Sequence, residues 1–277
     1  MTDDRPLGLF DSGVGGLTVL RAVHDLLPNE STIYVGDLAH FPFGPRPRGE
    51  VVDRATALAA YFVDRNVKAL VVACNTATSA ALSHVERAFP GPVVGVVRPG
   101  AEEAVRRSPR HSIGVVATEG TVRSHAYARA IEAVCSDCRV TEISLGELVD
   151  LVESGQAQSE VAGSVVSSAV FRLIEGCDCD TIVLGCTHFP LVRRRFEWES
   201  AGRAVIVDSA TSTASELAAL LEQRGLLSRG TGVSHEFLST AYADTFVRQA
   251  RVLFGEDIQA SVVEIPSASE PIVLIAG

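Results

Sequence analysis

Ala69-Leu70-Val71-Val72-Ala73-Cys74-Asn75-Thr76 sets the reading of this chain. Five apolar residues in a row end on a thiol, and two residues that cap helices well come next. An apolar run without polar alternation is a strand covered on both faces, as in a parallel sheet. An amphipathic stretch at 79–89 follows. Working outward, the runs at 7–10, 33–35 and 93–97 have the same character. Amphipathic segments at 17–27 and 51–64 lie between them. Strands joined by helical connections of this length predict a parallel sheet with helices on both faces.

The alternation then starts again. Strands are expected at 112–117, 140–143, 181–184 and 204–207, and helices at 127–134, 160–175 and 191–199. Arg98-Pro99-Gly100 lies between the two series and reads as the crossing point. A helix at 214–224, a polar stretch at 228–234 and a helix at 241–254 complete the pattern, and patterning assigns them to neither half. A weak repeat links the halves. Leu7-Gly8-Leu9-Phe10-Asp11-Ser12-Gly13 resembles Ser112-Ile113-Gly114-Val115-Val116-Ala117-Thr118, and Val71-Val72-Ala73-Cys74-Asn75-Thr76 resembles Val183-Leu184-Gly185-Cys186-Thr187-His188. The expected fold is α/β: two similar doubly wound parallel-sheet domains with a pseudo-two-fold relation and an active site in the cleft between them.

Composition narrows the function. Among 277 residues, 47% are apolar and 21% charged, which fits a globular protein with ample core. A net charge of −10 argues against nucleic acid or an anionic membrane as partner. The start Met1-Thr2-Asp3-Asp4-Arg5-Pro6 does not read as a leader, and no apolar run is long enough for a membrane helix. A cytoplasmic location is therefore expected, with the six cysteines mostly reduced. Lys68 is the only lysine and opens an apolar strand, so a pyridoxal phosphate Schiff base is not expected.

Ligands in open α/β sheets bind beyond the carboxyl ends of strands. Asp11-Ser12-Gly13-Val14-Gly15-Gly16 is one such end. Its glycine spacing is not that of a dinucleotide site, and taken alone it reads equally well as an ordinary strand-to-helix turn. Gly36-Asp37, running into Phe41-Pro42-Phe43-Gly44-Pro45, reads as a loop with exposed backbone donors. Cys74 and Cys186 each follow a strand, and each is expected at a helix start, where dipole and free N–H groups favour thiolate. Either cysteine alone reads best as a core thiol; matched strand-tip settings in both halves favour chemistry. Asp11 can serve Cys74 if the first and third strands are neighbours, and His188 can serve Cys186. Cys135-x-x-Cys138 and Cys177-x-Cys179 precede strands, at the far end of the sheet, and read as loop thiols rather than a zinc site. Arg193-Arg194-Arg195 reads as a solvated helix face.

Four blocks resemble the glutamate racemase family: Gly8-Leu9-Phe10-Asp11-Ser12-Gly13-Val14-Gly15-Gly16-Leu17-Thr18; Tyr34-Val35-Gly36-Asp37 through Pro42-Phe43-Gly44; Ala73-Cys74-Asn75-Thr76-Ala77; and Leu184-Gly185-Cys186-Thr187-His188-Phe189-Pro190-Leu191. The resemblance weakens after about residue 226. It implies interconversion of L- and D-glutamate without cofactor or metal, the D-isomer going into peptidoglycan. It implies that Cys74 and Cys186 are the acid/base thiols, assisted by Asp11 and His188. The substrate is then lined by Asp11, Ser12, Pro42, Phe43, Gly44, Asn75, Thr76, Thr118, Thr121, Thr187 and His188, with Asp37 and Glu153 as secondary acidic groups. The resemblance also implies that the chain returns at its end to the first domain, giving 1–97 plus 208–277 and 98–207, and a homodimer is expected.

Some positions depart from the family. Phe43 stands where tyrosine is usual, Arg98 where glutamate is frequent and Leu38 where threonine is common. The stretch before Leu151-Val152-Glu153 lacks the usual cysteine-proline start. The same residues also allow an aspartate racemase or another amino-acid racemase of the superfamily. A non-catalytic binding protein that keeps the cleft is the reading from a different class, and the intact pair of cysteines speaks against it.

Overall fold

The computed structural model describes residues 2–230, 232–254 and 258–267. Met1 and residues 268–277, which the sequence reading assigned to the first domain, lie outside the described residues. The first series forms β1 (Leu7–Asp11), β2 (Thr32–Gly36), β3 (Ala69–Val72) and β4 (Val93–Gly95). The second forms β5 (Ser112–Ala117), β6 (Arg139–Ser144), β7 (Thr181–Gly185) and β8 (Val205–Asp208). Two later strands follow, β9 (His235–Ser239) and β10 (Ala260–Val262). One sheet has the order β10-β9-β2-β1-β3-β4 and the other β6-β5-β7-β8. All the strand pairs are parallel. This matches the expected pair of doubly wound sheets.

Helices cover both faces of each sheet. The first series carries α1 (Leu17–Leu26), α2 (Arg48–Asp64) and α3 (Asn75–Ala88). The second carries α4 (Val97–Arg107), α5 (Glu119–Ser124), α6 (Ala126–Val134), α7 (Gly146–Glu153), α8 (Glu160–Ile174) and α9 (Arg193–Ser200). α10 (Ala210–Gln223) and α11 (Ala243–Phe254) come last. β1 shows why its sequence has no polar alternation. Leu7 and Leu9 enter a core with α1, α10 and α11, whereas Phe10 enters the core under α2 and α3. Both faces of the strand are buried, so both residue parities are apolar.

The repeat is exact in register. Within the first sheet Gly8 pairs with Leu70, and within the second Gly114 pairs with Ile182. Each glycine sits under a large side chain. A Cβ on Gly8 would lie 2.7 Å from Phe62, and one on Gly114 would lie 2.8 Å from Leu173. Counting forward from the partners, 70 to 74 and 182 to 186, a cysteine follows at the same step in each sheet.

Arg98-Pro99-Gly100 lies in the connection between the two sheets, as expected, and forms the first turn of α4, between β4 and β5, where proline's missing N–H removes no helical hydrogen bond. The strands β9 and β10 lack the long apolar runs of the others: His235 of β9 is exposed and Glu236 half-exposed, and Ser261 and Val262 are exposed on β10, the edge strand.

β9 is fastened to β2 by a neutral polar contact. Thr32 Oγ1 lies 3.0 Å from His24 Nε2 and 2.9 Å from His235 Nδ1, and the two rings are 3.9 Å apart between centroids. Burial, and then the nearby His235, lower the His24 pKa to about 4; burial lowers that of His235 as well. The unfolded chain therefore binds protons that the folded chain refuses between about pH 6.5 and 4. This contribution to stability is present above about pH 6.5 and is lost as pH falls towards 4. Unfolding near pH 5 is expected to take up about one to two protons at these sites. A His24→Asn/His235→Asn protein should show a flatter Tm between pH 6.5 and 4 than wild type. An equally steep fall would show that other groups set the acid limb.

Candidate active site

β1 ends on Asp11, which is fully buried. Its Oδ2 accepts the Gly16 N–H at 2.7 Å, and Tyr34 Oη donates to Gly13 O at 3.0 Å, so the turn is held from two sides. Bulk is not tolerated here. A Cβ on Gly16 would lie 2.7 Å from the Asp11 side chain, and one on Gly15 would lie 2.5 Å from Thr187 Oγ1 and 2.6 Å from His188 Nδ1. The glycines let the first sheet's loop touch the second sheet's loop.

β1 neighbours β3, as the proposed service of Asp11 to Cys74 requires. Cys74 caps α3, its Sγ accepting the Ala77 N–H at 3.5 Å and lying 3.8 Å from Ser12 Oγ. The lowering expected at a helix start does not result. Burial, followed by the charge of Asp11, pushes the Cys74 thiol well above its ordinary range, and the helix-start N–H opposes this without offsetting it. A helix terminus contributes only about 0.3–1 kcal/mol in ordinary settings, less than the cost of burying a charge beside a carboxylate.

Cys186 has a different local structure from the one expected. After it comes a single 3₁₀ turn, Phe189–Val192, with His188 at its head, and α9 begins only at Arg193. No α-helix starts at this thiol. Instead Cys186 Sγ lies 3.7 Å from His188 Nδ1, His188 Nε2 lies 2.5 Å from Glu153 Oε1, and Gln249 Nε2 donates to Glu153 Oε2 at 2.5 Å. Burial disfavours a charged imidazole, but its hydrogen bonds to Cys186 and Glu153 outweigh this and hold His188 well above the ordinary histidine range. Burial likewise acts to raise Glu153, yet His188 brings it below the usual carboxylate range. The two thiols thus have unlike companions: a carboxylate for Cys74 and an imidazole–carboxylate pair for Cys186.

Both thiols line one cleft of about 150 Å³. From the first sheet it receives Ser12, Cys74, Asn75 and Thr76, and from the second Thr118, Cys186, Thr187 and His188. Pro42, Phe43 and Gly44 close one side. Contacts across the cleft tie its walls: Asn75 Nδ2 donates to Tyr127 Oη at 2.7 Å, Thr76 and Thr118 hydroxyls are 2.9 Å apart, and Thr187 Oγ1 donates to Asp11 Oδ2 at 3.4 Å. Asn75 Oδ1 is buried with no protein donor among the described residues. A larger groove of about 700 Å³ lies between α4 and α10, but it holds paired arginines and acids, among them Arg98 with Glu102 and Glu216, and no thiol.

Several expected site residues stand back from this cleft. Thr121 is fully buried behind Thr118, its hydroxyl 3.0 Å away. Asp11 and Glu153 act on the cleft through Cys74 and His188. Asp37 is turned away: Arg54 grips its carboxylate at 2.9 and 3.0 Å, and His40 and Thr240 complete its contacts. Lys68 is also committed elsewhere, its Nζ held by Glu30 at 2.5 Å and by the carbonyls of Asp3 and Leu226. Residues that sequence reasoning missed include Glu119, Val149 and Asp150 in the wall, and Tyr127 and Gln249 behind it. Glu119, Val149 and Asp150 follow the ends of β5 and β6, so the strand-end rule had the means to find them. Tyr127 and Gln249 leave no local signal. The expectation of mostly reduced loop thiols is corrected at one pair: Cys135 and Cys138 form a disulfide, while Cys177 is free and exposed and Cys179 free and buried.

Two parallel sheets each present a thiol to one small cleft, Cys74 beside the Asp11 carboxylate and Cys186 beside the His188–Glu153 pair. The Asp/Glu/Hydantoin racemase family model matches residues 17–217. The glutamate racemase of Pediococcus pentosaceus is 37% identical over 264 residues, 95% of this chain and 99% of that protein. That of Levilactobacillus brevis is 42% identical over 249 residues, 88% and 90% of the two chains. The crystal structure of glutamate racemase isoform RacE1 from Bacillus anthracis superposes with a TM-score of 0.91 at 34% identity, covering 95% of this chain and 98% of that one. That of the Francisella tularensis enzyme in complex with D-glutamate gives 0.88 at 28% identity, with the same coverage. The chain belongs to the Asp/Glu/Hydantoin racemase family, among its glutamate racemases.

Proposed function

We propose that this protein interconverts L- and D-glutamate by two-base proton transfer, with Cys74 and Cys186 on opposite faces of Cα and no cofactor or metal. Supply of D-glutamate for peptidoglycan is part of the same reading. The observation that carries it is the placement of two thiols, from matched positions of two sheets, on one small cleft. Inversion at carbon needs a proton removed from one face and another delivered to the opposite face. A base on each wall does this without either group moving around the carbon. Cys74 keeps its proton because of burial and Asp11, so it starts as the acid. Cys186, on the opposite wall, then takes the part of the base, and the roles reverse for the other enantiomer.

The cleft also speaks for the substrate. About 150 Å³ is well below the 300–1,000 Å³ of sites that hold drug-sized ligands, so it suits one small amino acid and not an amino acid joined to a cofactor. The hydroxyls of Ser12, Thr76, Thr118 and Thr187 supply donors for carboxylates, and the unpartnered Asn75 Oδ1 suits an ammonium donor. The domain division 1–97 with 208–277 and 98–207 belongs to this reading, supported by β9 and β10 joining the first sheet.

The test is chiral chromatography of L-glutamate incubated with metal-free, cofactor-free protein. D-glutamate is expected to form until the two isomers are equal. Activity should survive chelators and hydroxylamine and disappear on thiol alkylation, with substrate protecting. Faster turnover of aspartate than of glutamate would overturn the substrate assignment, and loss of activity on chelation would overturn the metal-free chemistry.

A further inference from the structure

The end of the second sheet farthest from the cleft gathers a separate set of donors. Cys135 closes α6, and Cys138 immediately precedes β6. His111 immediately precedes β5. Because Ser112 pairs with Arg139, the two turns are brought side by side. One ligand atom from each of His111, Cys135 and Cys138 lies within 4.8 Å of the other two. Asp137 braces the group: its Oδ2 is 3.1 Å from His111 Nδ1, and its Oδ1 is 3.3 Å from Cys135 Sγ. Cys177 and Cys179 do not join the cluster, so the pairing of the two cysteine motifs is not what makes it.

We propose that the reduced Cys135–Cys138 pair, with His111, binds one thiophilic divalent cation of the zinc class, and that the disulfide is the closed, metal-free state of the same site. Two sulfurs and an imidazole nitrogen select borderline-soft metals over magnesium or calcium, which take oxygen donors. Two sulfurs on one tetrahedral zinc, each about 2.3 Å from it, stand about 3.8 Å apart, within the reach of this cluster. Asp137 is the outer partner that orients His111, as carboxylates do behind metal-bound histidines. Water completes the fourth position. Opening the site takes two electrons and two protons from a dithiol reductant, which leaves as its own disulfide. Binding the cation then releases the two thiol protons. The site is remote from Ser12, Cys74 and Cys186, so it acts on the second sheet's edge and not on proton transfer.

The test uses the full chain reduced with a phosphine, which takes oxygen from water to give phosphine oxide and two thiols. Titration with Co²⁺ is expected to give thiolate-to-cobalt charge-transfer absorption that saturates at one equivalent and is bleached by Zn²⁺. Unreduced protein should give none. Cys135→Ser/Cys138→Ser should abolish the band while leaving glutamate turnover unchanged, and Asp137→Asn should weaken Zn²⁺ binding by roughly 10–100-fold. Peptide mapping of iodoacetamide-labelled wild type provides a readout that needs no variant: Zn²⁺ should slow labelling of Cys135 and Cys138 and leave Cys177 unaffected. No charge-transfer band after reduction, a band that persists in the double variant, or Zn²⁺ protection confined to Cys74 and Cys186 would each overturn the proposal.

Discussion

D-glutamate formed from L-glutamate in deuterium oxide is expected to carry solvent deuterium at Cα from its first turnover, while the remaining L-glutamate stays largely unlabelled at early times. One thiol removes the substrate proton; the other, already exchanged with solvent, delivers deuterium from the opposite wall. A single base serving both faces would return the original proton part of the time and label product incompletely. The same assignment predicts that Cys74→Ala and Cys186→Ala each remove racemisation in both directions, since a catalyst cannot serve one direction only. Positioned acid/base groups contribute about 10²–10⁴-fold each, so each variant should fall at least that far. Near-wild-type racemisation by Cys74→Ala would return Cys74 to the role of a core thiol.

The second large effect is expected at the companions of Cys186. His188→Asn should slow the reaction by about 10²-fold or more without abolishing it, and unequally in the two directions, because it removes a proton store from one wall only. Asp11→Asn should do the same on the Cys74 wall with the opposite asymmetry. Glu153→Gln is more informative about cause. Glu153 helps hold His188 above the ordinary histidine range through a 2.5 Å contact. Without that carboxylate, His188 loses its proton at a lower pH. The basic limb of kcat/KM that depends on His188 should then move to lower pH, and Glu153→Asp should restore it in part. An unmoved limb in Glu153→Gln, with kcat reduced, would assign Glu153 to packing alone.

Much of the site was legible because parallel sheets place function at strand ends, and strand ends are marked locally. Asp11, Ser12, Cys74, Asn75, Cys186 and His188 each lie within a few residues of an apolar run. Asp37 was marked in the same way, yet it turned out to serve Arg54. A strand end names a position, and neighbouring chains decide which way its side chain is used. Tyr127 and Gln249 could not be read at all, because each reaches the site from a helix whose local pattern reports only burial.

The sequence by itself determined the alternation of strand and helix, the two parallel sheets, the repeat that carries Cys74 and Cys186, and the absence of any lysine other than Lys68. These follow from periodicity and residue type, which are local properties of the chain. Only the tertiary structure decided the protonation of Cys74, the chain from Cys186 through His188 and Glu153 to Gln249, the retreat of Asp37, the return of β9 to β2 and the meeting of His111 with Cys135 and Cys138. Each of these depends on desolvation or on contacts between residues far apart in sequence: 96 positions separate Glu153 from Gln249, and 203 separate Thr32 from His235. Burial and charge act over ångströms in space, and the order of residues along the chain does not encode those distances.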